Sequence, residues 1–392
     1  MRVYLDHNAT TPLHPDVLAA MLPFLGERFG NPSSVHAWGR EARHALETAR
    51  QGVAEALGVA EKDCIVFAGG GTEANNLALT GVVASRTDRP RHLIVSAVEH
   101  HAVLHTADHL ERLGCAVTRL PVDREGVLDP DDVRRAIRPD TVLVSLMHAN
   151  NETGVLFPIA EIAAVCRERD VPLHTDAIQS FGKVPVNVEA LGVDLLSVSG
   201  HKIHGPKGVG ALYVRRGMAM IPLIHGGRQE RSRRGGTENV AGAVGLARAA
   251  TLMGADLEEA SRRIAALRDR LETMLMSAGS AGIRNGHHRR RLPHTSNLAF
   301  PGIEAESLVI ALDLQGVAVS SGAACSSGAV EASHVLLAMG LSQEHARSSV
   351  RFSLGRWTAS QEIEYVGETV LSIVERMRRA SRRQPEHARS AA

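Results

Sequence analysis

The sequence predicts an α/β protein: a mostly parallel sheet covered on both faces by helices, followed by a smaller α+β unit. Three observations carry this. Between residues 64 and 216, short apolar runs alternate with helical patterns, the order that builds a parallel sheet. Five of these runs end in polar or glycine-rich residues, where α/β sheets gather functional groups. From about residue 250 the pattern changes to a long amphipathic helix with scattered strands.

The elements follow in order. "CIVFAG" (64–69) reads as a buried strand, and "GGGTEANNLALTGVVA" as a glycine turn opening a helix. "HLIVSAV" (92–98) is a strand, and "AVLHTADHLERLG" (102–114) a helix ended by glycine. "CAVTRLPV" (115–122), "TVLVSLMHAN" (141–150), "VPLHTDAI" (171–178), "DLLSVSG" (194–200) and "GALYVRR" (210–216) are further strands. "PIAEIAAVCRER" (158–169) is a helix with proline in its first turn. "LEEASRRIAALRDRLETMLMSAG" (257–279) is the long amphipathic helix. "TSNLAFPG" and "GVAVSSG" read as strands and "ASQEIEYVGETVLSIVERMRR" as a final helix. The expected organisation is an N-terminal segment 1–14 packing with the small domain, a large domain 15–250, a small C-terminal domain 251–380 and a disordered polar tail 381–392.

Composition narrows the function. At 392 residues the chain can bury a large core. A net charge of +1 gives no global field for nucleic acid or a membrane surface. No apolar run reaches the roughly 18 residues of a membrane span, and "MRVYLDHNATTPLHPD" is polar where a signal peptide would be apolar. The four cysteines show no C-x-x-C spacing, so neither a zinc site nor a disulfide framework is expected. These features predict a cytoplasmic protein with reduced thiols.

Chemistry concentrates at the strand ends. After "CIVF" come Gly69, Gly70, Gly71 and Thr72 at a helix start, where free N–H groups and the helix dipole suit a phosphate. The competing reading is a structural turn; the stretch lacks the G-K-[ST] of a Walker A loop. Later strands end at His100, Asn151, Asp176 with Gln179, and Ser199 with His201 and Lys202. Each alone reads as an ordinary loop polar group. Together they match pyridoxal 5'-phosphate, which needs a lysine for its Schiff base, a carboxylate for its pyridine nitrogen and a phosphate cradle. Lys202 supplies the amine, Asp176 the carboxylate, Gly71, Thr72 and Ser199 to His201 the cradle, and His100 a ring to stack on the cofactor. Lys207 is the rival lysine; it follows Pro206, begins the next strand and ranks as a surface group.

"SVSGHKIHGPKGVGALYVRRG", "HTDAIQSFGK", "ANNETG" and "SSGAACSSG" make the chain resemble the cysteine desulfurases of the NifS/IscS type, within the class V aminotransferases. The resemblance runs from "VYLDHNATTP" and "FGNPSSVH" to "VRFSLGRWT". It implies fold type I, the aspartate-aminotransferase-like fold of pyridoxal-phosphate enzymes, and a homodimer. It implies that Lys202 carries the Schiff base, Asp176 meets the ring nitrogen, Gln179 the ring hydroxyl, and Asn151 lies near that hydroxyl and the substrate carboxylate. His100 would stack and move protons; Gly71, Thr72, Ser199 and His201 would hold the phosphate, and Thr237 would reach the partner's phosphate. Arg351 would clamp the substrate carboxylate.

The resemblance places the catalytic cysteine at Cys325, in "VSSGAACSSGAV" (319–330). Cys64, Cys115 and Cys166 sit in apolar surroundings, whereas Cys325 lies among serine, glycine and alanine, a composition for a mobile loop. The implied reaction converts L-cysteine to L-alanine and leaves the sulfur on Cys325 as a persulfide, for iron–sulfur assembly or another acceptor protein. A selenocysteine lyase, an aminotransferase on the same fold and a silent assembly scaffold are the rival readings. His101 stands where proline is usual and His7 where asparagine is common. "RNGHHRRRLPHTSN" (284–297) reads first as a solvated loop and second as an acceptor-binding patch. A metal on His287, His288 and His294 is set aside, because no cysteine or carboxylate lies nearby in sequence.

Overall fold

The computed structural model describes residues 1–86, 90–277, 281–321 and 332–389, the last nine of these as backbone only. Cys325 and its loop therefore lie outside the described residues. Strand β1 (Val3–Tyr4) precedes the large sheet. That sheet holds β2 (Ile65–Ala68), β3 (His92–Ser96), β4 (Ala116–Leu120), β5 (Thr141–Met147), β6 (Leu173–Asp176), β7 (Leu195–Ser199) and β8 (Gly210–Val214). Its spatial order is β2-β8-β7-β6-β5-β3-β4. β4, β3, β5, β6 and β7 run parallel, while β8 is antiparallel to both β7 and β2. The reversal has a local cause. Only "GHKIHGPKGV" separates β7 from β8, too little for the helical crossover that a parallel pair requires.

Most strands of this sheet are buried along their whole length, as expected of a sheet covered on both faces. One apolar layer includes Ala74, Leu77 and Ala78 of helix Gly71–Ala84 with Val103 and Leu110 of helix His101–Arg112. The other takes residues from helices Ala37–Ala56, Ile159–Glu168 and Val240–Gly254. The sequence pattern passes over the first and third of these, although the alanine-rich "VAGAVGLARAA" packs Ala243, Leu246 and Ala250 tightly.

A third apolar cluster joins Val3 and Leu5 to residues 264–374. β1 pairs in parallel with β11 (Val317–Ala318), so the N-terminal strand belongs to the smaller unit. There β9 (Ile283–Asn285), β10 (Thr295–Ala299) and β12 (Ser349–Ser353) form an antiparallel sheet in the order β12-β10-β9. The last helix runs Ser360–Arg389.

The basic stretch 284–297 also departs from expectation. Arg289 and Arg290 are exposed, but Asn285, Arg291, Leu292 and His294 are buried. Arg291 ion-pairs with Glu272, and the solvated-loop reading fails at Asn285 and throughout 291–297.

Candidate active site

Apart from β4, each parallel strand is followed by polar residues at one edge of the sheet. Register brings Asp176 level with Met147 on one side and Ser197 on the other. Gly71, Thr72, His100, Asn151, Asp176, Gln179, Ser199, His201 and Lys202 all line one cavity of about 270 Å³. Nine residues expected from five separate strand ends thus meet in one place.

The glycine turn has physical reasons. Gly70 has φ +149° and ψ −177°, a region essentially restricted to glycine. A Cβ on Gly71 would stand 2.2 Å from Ile178 Cδ1 and 3.3 Å from Ser199 Cβ, so the helix start approaches β7 only without a side chain. Glu73 accepts from Gly69 N at 2.8 Å and from Arg234 Nε at 2.9 Å, which fixes the turn from outside. Ser199 Oγ is buried and makes no hydrogen bond among the described residues. A phosphate at this helix N-terminus would give it a partner.

Asp176 is buried and accepts from Asn75 Nδ2 at 2.6 Å and from Ile178 N at 2.9 Å. Burial pushes its pKa up, opposed by these bonds and by Lys202. Asn75 is fully buried and escaped the sequence reading; its signal was its place one helical turn beyond Gly71. His100 stands at the cavity mouth and caps its helix by accepting from Ala102 N at 3.1 Å through Nδ1. That bond leaves the neutral ring's proton on Nε2. Burial of the ring, with Lys202 and His101, His334 and His105 nearby, pushes its pKa down to about 4.

Lys202 donates to the carbonyls of Asn8 and of Ala9, the latter at 2.8 Å, and among the described residues makes no hydrogen bond to Asp176. Burial and Arg351 push its pKa down to about 8, against the pull of Asp6 and Asp176. Lys207 is exposed and lines a neighbouring cleft rather than this cavity. Gln179 Nε2 donates to the Asn8 carbonyl at 3.0 Å. His201 meets Thr10 Oγ1 at 3.1 Å, and burial with Lys202, Lys207 and Lys183 pushes its pKa down to about 4.

The N-terminal segment is thus part of the site. Asn8 is 1% exposed and is hydrogen-bonded to five chain segments. It donates to Asn151 O and Thr295 Oγ1, and accepts from His294 Nε2 at 2.7 Å. Its sequence signal was the dense polar run "DHNATT" behind a strand, but which surface it would cover was not legible.

Two expected residues lie elsewhere. Thr237 is exposed and outside the cavity wall. Arg351 is buried behind the wall, where it donates to Asp6 Oδ1 at 2.7 Å and to Asn151 O at 3.0 Å. The three cysteines within the described residues are free and buried, and burial raises each pKa, that of Cys166 to about 12. Protonated, enclosed thiols are poor nucleophiles.

Tertiary structure supplies the carboxylate missing near the histidine pair: Glu125, His287 and His288 place ligand atoms within 4.8 Å. His287 Nδ1, however, accepts from Arg289 N and Arg290 N, both at 3.0 Å. The ring proton then sits on Nε2, 3.8 Å from Glu125. This geometry suits an N–H facing a carboxylate better than a metal ligand. His294 lies apart, against Asn8.

Among the described residues no single helix is long and apolar enough to cross a membrane. A cysteine desulfurase IscS of Dictyoglomus turgidum is 49% identical over 379 residues, 97% of this chain and 96% of the relative. A solved NifS-like protein superposes with TM-score 0.90 at 38% identity, over 95% of this chain and 99% of that one. A structure described as SspA in complex with cysteine gives TM-score 0.81 at 37% identity, over 91% and 100% of the two chains. The model of the family described as aminotransferase class-V matches residues 3–366, and the chain belongs to that family, among the cysteine desulfurases of the NifS/IscS type.

Proposed function

We propose that this protein is a pyridoxal 5'-phosphate-dependent cysteine desulfurase that turns L-cysteine into L-alanine and carries the sulfur on Cys325. The observation that carries the reading is the convergence of Lys202, Asp176, His100 and the Gly71–Thr72–Ser199 cradle on one cavity. The residues fit the cofactor: among the described residues, a buried carboxylate without a cation bonded to it and a Ser199 hydroxyl without a partner, together with a helix N-terminus closed to any side chain at Gly71.

When bound, the cofactor supplies an electron sink that weakens the substrate's Cβ–S bond. Lys202 Nζ is the amine that would hold it, and its lowered pKa keeps more of it unprotonated near neutrality. Asp176 would keep a proton on the ring nitrogen; the attraction would offset the cost of burying the carboxylate. Gln179 Nε2 would orient the ring, and His100 Nε2 would hold or move a proton at the open face. The helix start at Gly71 and Thr72, with Ser199 and His201, would bind the phosphate, and Thr237 that of a partner subunit. Arg351 would receive the substrate carboxylate, for which its planar fork is suited. L-cysteine and the Cys325 thiol become L-alanine and a Cys325 persulfide, so no external oxidant or reductant is required.

The buried, protonated state of Cys64, Cys115 and Cys166 supports Cys325 as the sulfur carrier. A sulfur-acceptor protein, a homodimer and a cytoplasmic setting belong to the same proposal. The test uses purified protein loaded with pyridoxal phosphate and given L-cysteine. Alanine should appear, and mass spectrometry should find one added sulfur on the peptide containing Cys325. Alanine release that persists unchanged in Cys325→Ser would overturn the assignment.

A further inference from the structure

Arg351 has five N–H donors in a rigid fork. One on Nη2 goes to Asp6 Oδ1 at 2.7 Å, and one on Nη1 to the Asn151 carbonyl at 3.0 Å. Its Nε is buried with no hydrogen-bond partner among the described residues. The guanidinium is therefore held along part of its edge and retains free donors. Its side chain is 6% exposed and that of Asp6 19%.

The pair is set by backbone register. Arg351 N donates to Ser320 O at 2.7 Å, and Ser320 N to Arg351 O at 3.2 Å. Two residues on, Ser353 pairs with the Asp6 segment: Ser353 N donates to Leu5 O at 2.7 Å, and His7 N to Ser353 O at 3.1 Å. Residues two apart on a strand share a face, so Asp6 arrives beside Arg351. The turn after Asp6 is closed by Ala9 N to Asp6 O at 3.0 Å, and Tyr4 Oη donates to the same carbonyl at 3.0 Å. These bonds hold the Asp6 backbone beside Arg351.

Charge adds a second point. Lys202 feels Arg351, Asp6 and Asp176 together. Two cations, Lys202 and Arg351, thus face two carboxylates, Asp6 and Asp176. A carboxylate arriving at Arg351 meets the negative charge already paired with it, and like charges brought together oppose binding.

We propose that Asp6 is a positioning residue that sets the selectivity of the Arg351 site: it orients the guanidinium and offsets its charge. A carboxylate alone is then held weakly. An α-amino acid is retained because its amino group has a second anchor beside Lys202. The inference rests on the reading of Arg351 as the substrate-carboxylate site.

The probe is propionate, which has the carboxylate and no amino group, titrated by calorimetry into the cofactor-loaded enzyme. KM and kcat for L-cysteine are measured alongside. Asp6→Asn keeps an acceptor oxygen and removes the charge. Propionate should bind about tenfold more tightly, while KM for L-cysteine falls by less, so the preference for the amino acid narrows. Asp6→Ser, a second neutral variant, should shift in the same direction, and Asp6→Glu should return propionate affinity toward that of the parent. Unchanged or weaker propionate binding in either neutral variant that folds overturns the role of Asp6. Arg351→Lys separates the two layers: if it leaves propionate affinity unchanged, the carboxylate site is not at Arg351 and the underlying reading fails. If it weakens propionate while the neutral Asp6 variants do nothing, that reading stands and this one falls.

Discussion

Lys202 illustrates how the residue scale works. A lysine with an ordinary pKa near 10.4 holds a negligible free-amine fraction at neutrality, whereas one near 8 is about one-tenth free amine at pH 7. Capture of pyridoxal phosphate by the apoprotein should therefore accelerate with pH around a midpoint near 8, followed by the visible band. Lys202→Ala should give no borohydride-fixed adduct; an adduct that persists would return the role to Lys207. Cys325 makes the complementary forecast. Cys325→Ser should retain the cofactor band and its response to L-cysteine but lose turnover, because a serine hydroxyl is barely ionised and cannot carry a persulfide. Serine at Cys64, Cys115 or Cys166 should leave the chemical step intact and cost stability, since each sits in a core.

Two elements position these residues. The Gly71 turn admits no side chain without moving Ile178, itself on the cavity wall. Gly71→Ala should weaken cofactor binding by about tenfold, the scale of one hydrogen bond to a charged group, with little change in melting of the apoprotein. Equilibrium dialysis checks it, and unchanged affinity would remove Gly71 from the cradle. The loop before Thr237 is held by a different device. Glu230, Arg231 and Ser232 have φ of +46°, +56° and +64°, a left-handed run that non-glycine residues avoid. Arg50 donates to Glu230 through two nitrogens, at 2.6 and 2.8 Å, and Phe67 N donates to the same carboxylate at 2.8 Å. Both side chains are 2% exposed. Glu230→Ala strips the buried Arg50 of its two-nitrogen partner and leaves it Glu47 at 3.1 Å, so denaturant melts should show a loss of about 3 kcal/mol. A loss below about 1 kcal/mol would mean that the pair does not hold the loop.

At the scale of the whole molecule, buried histidines govern stability in acid. Burial lowers His7 and His174 to about 3 and His148 and His204 to about 4. Each prefers to stay neutral in the fold, so its contribution is present above the unfolded pKa near 6.5 and is lost as pH falls toward the folded value. Buried Glu99, raised to about 8, and Glu152, raised to about 7, act in the opposite sense. Between about pH 6.5 and 4.5 the unfolded chain gains protons that the fold does not take at these four histidines and at His100 and His201, while the fold already holds protons at two glutamates. The balance favours the unfolded state, so the melting temperature should drop across that window; a flat profile would contradict the assignment. Leu18, Leu22, Leu25, Phe29 and Trp38 are exposed near the N-terminal end of the large unit. That apolar surface supports the proposed homodimer, and a fully active monomer in sedimentation would sink it.

The sequence by itself determined the alternating strands and helices, and with them the set of groups released at the strand ends. Apolar period, glycine and proline are local signals, and the C-terminal edge of a parallel sheet is a general place for chemistry. Lys202, Asp176 and the Gly71 turn were legible for that reason. Tertiary structure alone decided what lies against them. Asn8 bonds Lys202 and Gln179, Asp6 bonds Arg351, and Glu230 bonds Arg50, across 194, 171, 345 and 180 positions respectively. No local periodicity encodes such pairs. The Asn8 and Asp6 pairs follow from β1 joining β11 and from the Asp6 segment meeting Ser353 of β12, whereas Arg50 and Glu230 meet inside the large unit.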